Sequence, residues 1–219
     1  MITLDKTGGI WTATIDRQDK ANSLTEAMLS ELADIAEAAA APDAARVLIL
    51  TGAGKVFSAG ADLEAARAGL ATSAVWERLS AALAALPCLT IAALNGTVAG
   101  GAMGMVLACD IRIAAEGAKF FYPVMKLGFL PQPSDPARLA ALVGPSRAKM
   151  ILMAGQKIDT ATAYDWGLVD RIVTPGTQID IAHELAQDTL SASHAHAAAI
   201  KGLVAPASAK DHKRPFQAT

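Results

Sequence analysis

The sequence contains little cysteine and almost no net charge, and each shortage excludes a class of protein. Among 219 residues there are 2 cysteines and a formal net charge of −2. Cys88 and Cys109 both lie in apolar runs, which is typical of reduced core residues and excludes a disulfide framework or a cysteine-based metal site. A near-neutral chain gives no electrostatic reason to bind nucleic acid. We therefore expect a cytoplasmic protein with no metal and no nucleic-acid partner.

We expect neither a secretory signal nor a membrane span. Asp5 and Lys6 interrupt the start of the chain, which has no long apolar segment there. Residues 88–109 form a run of 22 residues without a charge, which is long enough to cross a bilayer. However, Asn95-Gly96 is a turn signal at its centre. We expect a buried strand, a loop and a helix here, and no membrane partner.

Enough apolar residues are present for one sizeable core, since 53% of the chain is hydrophobic. Segments with strand character alternate with segments of helical spacing, which favours an α/β fold with crossover connections. Strands are predicted at residues 1–4, 10–15, 47–51, 88–94, 111–114 and 119–122. Helices are predicted at residues 25–41, 63–86 with an interruption near 69–73, 101–109, 136–143, 146–154, 160–166, 177–191 and 194–204. We predict a mobile tail at residues 206–219.

Two glycine-containing segments carry the most specific information. Residues 57–63 (FSAGADL) and 95–104 (NGTVAGGAMG) each follow a predicted buried strand. Glycine allows a sharp bend or the close approach of another group. Two such strand ends can direct two backbone N–H groups at one point, an arrangement that stabilises an oxyanion in acyl chemistry. Alternatively, the glycines only allow tight packing between strand and helix.

At these segments the chain resembles the crotonase superfamily, also called the enoyl-CoA hydratase/isomerase family. The family pattern also matches at residues 87–94, 108–114 (ACDIRIA), 127–131, 138–139 and 163–170 (AYDWGLVD), and residues 17–24 resemble its first substrate-side loop. The resemblance covers roughly residues 2–173. It implies an α/β core formed by a spiral of ββα units at residues 1–157, followed by a shortened helical oligomerisation region at residues 158–219.

The resemblance also implies a substrate, a set of partners and a set of site residues. The substrate is an acyl-CoA thioester, so coenzyme A enters with the substrate and no cofactor is bound permanently. The assembly is a homotrimer or a dimer of trimers. The oxyanion donors fall on the N–H groups of Ala61 and Gly101; the latter lies at a predicted helix N-terminus, where N–H groups are unpaired and the helix dipole favours negative charge. The positions implied for substrate or CoA binding are Lys20, Ala21, Ala59, Gly60, Asp62, Leu63, Gly100 and Tyr122.

The resemblance implies that carbonyl groups near Ala21 and Ala59 hold the adenine of CoA. Other implied positions have a simpler structural interpretation. Lys20 or Lys55 would meet the phosphates of CoA, although each lysine alone is typical of a solvated surface. Asp62 stands next to a tight turn, where a short acid usually bonds local N–H groups. We therefore expect Asp62 to brace its own loop.

The main departure from the family pattern is the absence of acids. The two glutamates of hydratases fall on Gly104 and Val124, and a third acidic position of some isomerase relatives falls on Gln132. None of these side chains can transfer a proton as a carboxyl does. This argues against hydration, which needs both a base and an acid.

Asp135 is the candidate replacement for the missing acids. It stands before Pro136, a pattern that favours a helix N-cap instead, and we give the capping interpretation more weight. Tyr122 either donates a hydrogen bond in the pocket or only packs, and Glu64 faces either the pocket or water. The 4 histidines all lie at or after residue 183, so we predict no histidine-based triad and no metal cluster.

The sequence thus predicts an acyl-CoA thioester enzyme that stabilises an enolate between two N–H groups. Without the usual glutamates, we expect isomerase-type or other enolate chemistry, including decarboxylation. The alternative is a catalytically silent protein that binds acyl-CoA or serves as an oligomer subunit.

Overall fold

Two sheets of mostly parallel strands form the centre of the protein in a computed structural model that describes residues 1–204. The predicted mobile tail and the end of the predicted C-terminal region lie outside the described residues. The strands are β1 Ile2–Thr7, β2 Ile10–Ile15, β3 Val47–Gly52, β4 Val56–Ser58, β5 Leu89–Leu94, β6 Thr97–Ala99, β7 Ile111–Ala115, β8 Lys119–Phe121, β9 Ile158–Asp159 and β10 Arg171–Val173. One sheet has the order β1-β2-β3-β5-β7-β10, and the other has the order β4-β6-β8-β9.

The chain alternates between these two sheets. β3, β5 and β7 belong to the larger sheet, and β4, β6 and β8, which follow them in turn, belong to the smaller one. Each pair of strands is followed by a helix. This alternation is the spiral of ββα units that the resemblance implied, and the α/β fold is confirmed. Every residue of β3 is buried, as expected for a parallel strand covered on both faces.

The helices pack around the sheets, and all of them except α5, which was not predicted, begin close to the predicted positions. They are α1 Glu26–Ala39, α2 Leu63–Arg67, α3 Val75–Ala84, α4 Ala102–Ala108, α5 Val124–Leu127, α6 Asp135–Val143, α7 Pro145–Leu152, α8 Thr160–Asp165, α9 Gln178–Ser191 and α10 His194–Val204. Thr25 starts α1 because its hydroxyl accepts a hydrogen bond of 3.3 Å from the N–H of Met28. After residue 157 the chain forms not only helices but also two strands: β9 joins the smaller sheet, and β10 joins the larger one.

The pairing of β4 with β6 positions the candidate site. These strands run parallel, with Val56 opposite Thr97 and Ser58 opposite Val98. Because parallel strands end at the same edge of a sheet, the glycine segments that follow them lie side by side. Residues 88–109 form the expected strand β5 and helix α4, and the expected loop between them also contains the short strand β6. Within residues 1–204, no helix is both long and apolar enough to span a membrane.

Candidate active site

The two glycine segments touch each other at the edge of the smaller sheet. Gly60 has φ of 90° and Gly100 has φ of 56°, and side chains rarely adopt either conformation. A Cβ atom on Gly60 would lie 2.7 Å from the carbonyl oxygen of Ala99 and 3.4 Å from Cα of Gly100. Gly60 is therefore needed for the close approach of the two backbones, and Gly100 for its positive φ.

Ala61 and Gly101 follow these turns and present their N–H groups. Hydrogen bonds of 2.8 Å join Leu24 to Gly60 and Asp62 on either side of Ala61. Gly101 is the N-cap residue of α4. Neither the N–H of Ala61 nor that of Gly101 donates to another group of residues 1–204, and both residues are partly exposed. Both N–H groups are therefore available to an acceptor from outside the chain.

Asp62 braces the loop that carries Ala61, as the sequence predicted. Its Oδ1 accepts hydrogen bonds from the N–H groups of Glu64 and Ala65 at 3.0 and 3.2 Å. Its Oδ2 lies 2.8 Å from Nη1 of Arg17. The hydrogen bond from Arg17 and those from the backbone lower the pKa of Asp62. The carboxylate of Asp62 is thus occupied by its own loop.

Some of the positions implied for CoA binding lie on the surface, whereas Gly60 and Tyr122 are buried. The N–H of Ala59 donates to the carbonyl oxygen of Ala21 at 3.0 Å, so these two residues are neighbours. Ala21, Ala59, Lys20 and Lys55 are exposed, and Leu63 is 75% exposed.

Trp76 of α3 packs against Gly101, and the sequence analysis did not single it out. A Cβ atom on Gly101 would lie 3.1 Å from three atoms of the Trp76 ring. The indole N–H donates to the carbonyl oxygen of Leu70 at 2.8 Å, which fixes the ring. Close packing against the helix α3 is therefore one reason for glycine at residue 101. The contact with Trp76 does not occupy the N–H of Gly101, which donates to no group within residues 1–204.

Asp135 lies in the core beside Gly104, and the capping interpretation is wrong. Ser134 is the N-cap residue of α6, with no side-chain capping bond, and Asp135 is 1% exposed. The hydroxyl of Tyr122 donates to Oδ2 of Asp135 at 2.9 Å. A Cβ atom on Gly104 would lie 2.9 Å from Oδ1 of Asp135. The carboxyl group thus fills the space that a side chain at residue 104 would enter.

Burial is the main cause of the raised pKa values of Asp135 and Tyr122. Desolvation raises the pKa of Asp135 to about 6, with an additional rise from Glu77, while the hydrogen bond from Tyr122 and the charge of Arg138 oppose the rise. The pKa of Tyr122 is raised, first by burial and then by the neighbouring carboxylate. Within residues 1–204, Oδ1 of Asp135 is buried and has no hydrogen-bond partner. A buried oxygen without a partner at a glycine is typical of a functional group.

Helix α4 connects Gly101, the candidate oxyanion donor, with Gly104, which the carboxyl group of Asp135 approaches. Gly101 and Gly104 are three residues apart, so they lie on the same face of α4. The rise between them is about 4.5 Å, from about 1.5 Å per residue. Asp135 therefore approaches α4 on the face that also carries Gly101.

The other residues considered for proton transfer do not reach this point. Val124 is buried and apolar, Glu64 is exposed, and the amide of Gln132 donates to the carbonyl oxygen of Ala71 at 3.3 Å. Within residues 1–204, no group of three or more His, Cys, Asp or Glu residues is placed to hold a metal ion. A cleft of about 310 Å³ between the end of α1 and α10 lies away from the glycine turns and has a mainly alanine lining. Asp135, Tyr122 and the two N–H groups therefore remain the candidates for a role in chemistry.

Comparisons with known proteins agree with this fold. The family model described as Enoyl-CoA hydratase/isomerase matches residues 5–218. The chain is 33% identical over 188 residues to 1,2-epoxyphenylacetyl-CoA isomerase of Escherichia coli (strain K12), covering 82% of this chain and 72% of that protein. It is 35% identical over 199 residues to carnitinyl-CoA dehydratase of Citrobacter koseri, covering 89% of this chain and 76% of that protein. The crystal structure of enoyl-CoA hydratase from Bacillus anthracis superimposes with a TM-score of 0.85 at 33% identity, covering 94% of this chain and 82% of that one.

Both the family match and these relatives extend over most of the chain. The chain therefore belongs to the enoyl-CoA hydratase/isomerase family of the crotonase superfamily and is an acyl-CoA enzyme of that family.

Proposed function

We propose that this enzyme moves a double bond in an acyl-CoA thioester, with one carboxyl group as the proton carrier. The observation that carries the proposal is the buried carboxyl of Asp135, which lies against Gly104 one helical turn beyond Gly101. At both hydratase glutamate positions the chain has residues that cannot transfer a proton. One carboxyl suffices for isomerisation, whereas hydration needs a second group.

The two N–H groups stabilise the intermediate. The thioester oxygen accepts hydrogen bonds from Ala61 and Gly101, whose N–H groups donate to no other described residue. Negative charge grows on this oxygen as a proton leaves the α-carbon, so the bonds strengthen during the reaction. Each donor of this kind is worth about 10²–10³ in rate. The dipole of α4 adds to the same effect at Gly101.

The proton transfer uses Oδ1 of Asp135 as base and then as acid. A 3-enoyl thioester loses a proton from carbon 2 to this oxygen, and the electron pair moves onto the thioester oxygen as a dienolate. The same carboxyl returns the proton to carbon 4, and the double bond then joins carbons 2 and 3. A pKa of about 6 suits this cycle because the group is ionised at neutral pH yet holds a proton between the two steps.

Tyr122 keeps the second carboxyl oxygen out of this cycle. Its hydroxyl donates to Oδ2, so only Oδ1 remains for the substrate. The hydrogen bond also fixes the plane of the carboxyl group, which is the kind of preorganisation that a proton transfer needs.

The substrate class follows from the family and from the surface beside Ala61. The named relatives are an isomerase and a dehydratase of CoA thioesters, which supports an acyl-CoA substrate here, with CoA as part of the substrate and no permanently bound cofactor. Exposed Lys20, Ala21, Ala59 and Leu63 form the surface that would take the CoA portion. We further propose a cytoplasmic homotrimer or dimer of trimers, which native mass measurement tests.

Deuterium uptake at the α-carbon tests the proposal. The protein is incubated in D₂O with saturated, 2-enoyl, 3-enoyl and malonyl-type CoA thioesters, and the products are analysed by mass spectrometry. We expect deuterium uptake and double-bond movement that Asp135→Asn abolishes and that the matched control Asp165→Asn, on the exposed end of α8, retains. Saturable thioester binding without exchange or turnover would instead support the silent acyl-CoA-binding alternative, and loss of CO₂ alone would support decarboxylation.

A further inference from the structure

Glu77 holds the residue that precedes Asp135. Oε2 of Glu77 accepts the N–H of Ser134 at 3.2 Å, and Oε1 accepts the hydroxyl of the same serine. Ser134 is the N-cap residue of α6, and Asp135 is the first residue of that helix. Both oxygens of one carboxylate on α3 are therefore used to fix the start of α6.

The same turn of α3 touches both halves of the candidate site. Trp76 packs against Gly101, and Glu77, the next residue, holds Ser134. Gln132 adds a parallel link, because its amide donates to the carbonyl oxygen of Ala71 just before α3. The distance between the oxyanion donor and the carboxyl group is thus set by one rigid helical segment.

Glu77 also places a negative charge near Asp135. The groups that act on Asp135 are Tyr122 on the segment after β8, Arg138 on α6 and Glu77 on α3. Tyr122 and Arg138 favour the ionised carboxyl, and Glu77 opposes it. Nη1 of Arg138 is buried and has no hydrogen-bond partner within residues 1–204, and Arg138 acts on Asp135 through its charge and not through a hydrogen bond.

We propose that Glu77 is a positioning residue that holds Asp135 beside Gly104 by binding the backbone N–H and the hydroxyl of Ser134. It acts through Ser134, because its two oxygens are already occupied and it need not touch the substrate. The inference rests on the proposed function, since it assigns Glu77 to the placement of the proton carrier. Without this link, the first turn of α6 is free to shift, and a shift of about 1 Å in a reacting group is enough to cost a large factor in rate.

The test measures Asp135 directly as well as turnover. In protein labelled with ¹³C at the aspartate carboxyl carbons, the Asp135 signal is identified by its loss in Asp135→Asn and is titrated with pH. The variants are Glu77→Gln, which removes the charge and one acceptor, and Ser134→Ala, which removes the hydroxyl donor and keeps the charge. Glu31→Gln, on the exposed face of α1, is the matched control.

We expect different signatures from the two variants. Glu77→Gln should lower the titration midpoint of Asp135 by roughly 0.5 pH units, because a like charge is removed, and should lower kcat roughly tenfold with KM unchanged. Ser134→Ala should lower kcat while the midpoint stays close to that of the wild type. Glu31→Gln should match the wild type in every measurement.

An Asp135 midpoint and a kcat that are both unchanged in folded Glu77→Gln would overturn the proposal. Absence of any exchange in the wild type would contradict the proposed function instead. In that case the carboxyl titration still decides whether Glu77 controls Asp135, because it needs no turnover.

Discussion

The hydroxyl of Tyr122 donates a hydrogen bond of 2.9 Å to Oδ2 of Asp135, 13 residues further along the chain. This contact directs a carboxyl group from the start of α6 toward α4, where Gly104 leaves room for it. The carboxyl therefore arrives from a different helix than the one that carries the first hydratase glutamate in the family pattern. The carboxyl group of Asp135 thus occupies the space beside Gly104, the position on which the resemblance places that glutamate.

Replacement of Tyr122 by Phe tests this contact. The hydrogen bond favours the ionised carboxyl, so its loss should raise the pKa of Asp135 above its value of about 6. The acidic limb of the pH–rate profile for α-proton exchange should move to higher pH, and the rate at neutral pH should fall. A profile that is unchanged in Tyr122→Phe would show that the hydroxyl does not influence the base.

Asp135→Asn should stabilise the protein at high pH. The folded pKa of about 6 exceeds the unfolded value of about 3.9, so the folded wild type loses stability as the pH rises from about 4 to about 6 and stays lower above that range. The cost at pH 8 is about 3 kcal/mol. Thermal unfolding should give a higher Tm for Asp135→Asn than for the wild type at pH 8, and the difference should shrink at pH 4. An equal Tm at both pH values would contradict a buried, strained carboxylate.

Gly104→Ala should damage both stability and activity. Its Cβ would lie 2.9 Å from Oδ1 and 3.1 Å from Oδ2 of Asp135, so the carboxyl or α4 must shift, at a cost of about 1–3 kcal/mol. The second change Asp135→Gly should recover much of that stability, because the clash disappears. Double-mutant analysis of chemical unfolding measures this coupling. Additive effects of the two changes would contradict the contact.

Gly101→Ala tests the packing of Trp76 against the oxyanion donor. The new methyl group would lie 3.1 Å from three ring atoms, so we expect a lower Tm and slower exchange, since α4 must move at its first residue. Trp76→Leu in the same chain should restore part of the Tm. If Gly101→Ala alone has the Tm and the exchange rate of the wild type, then neither Trp76 nor the absence of a side chain constrains this N–H group.

The sequence predicts much of the fold, and the reasons are local. The buried strands β3 and β5 are continuous apolar runs, and α1 begins at a capping threonine, so each carries its own signal. β4 and β6 were not predicted, because each has three residues and gains stability only by pairing with strands distant in sequence. The glycine turns could be identified from spacing alone, whereas their contact depends on that pairing.

The candidate site was predictable only in part. Asp135-Pro136 has the pattern of a helix start, and the helix does start there, yet the side chain turns inward to Tyr122. That choice depends on the empty space at Gly104, which is distant in sequence. Glu77 gave no signal because a glutamate on an amphipathic helix is usually solvated. Only the packing of α3 against α4 and α6 brings its carboxylate to Ser134.

The most direct test of the single-carboxyl mechanism is the product formed from a 3-enoyl-CoA thioester in D₂O, followed by mass spectrometry. The account predicts a 2-enoyl product that carries deuterium without added water, formed by the wild type and Tyr122→Phe but not by Asp135→Asn. Formation of a 3-hydroxyacyl-CoA as the main product, or isomerisation that persists in Asp135→Asn, would contradict it.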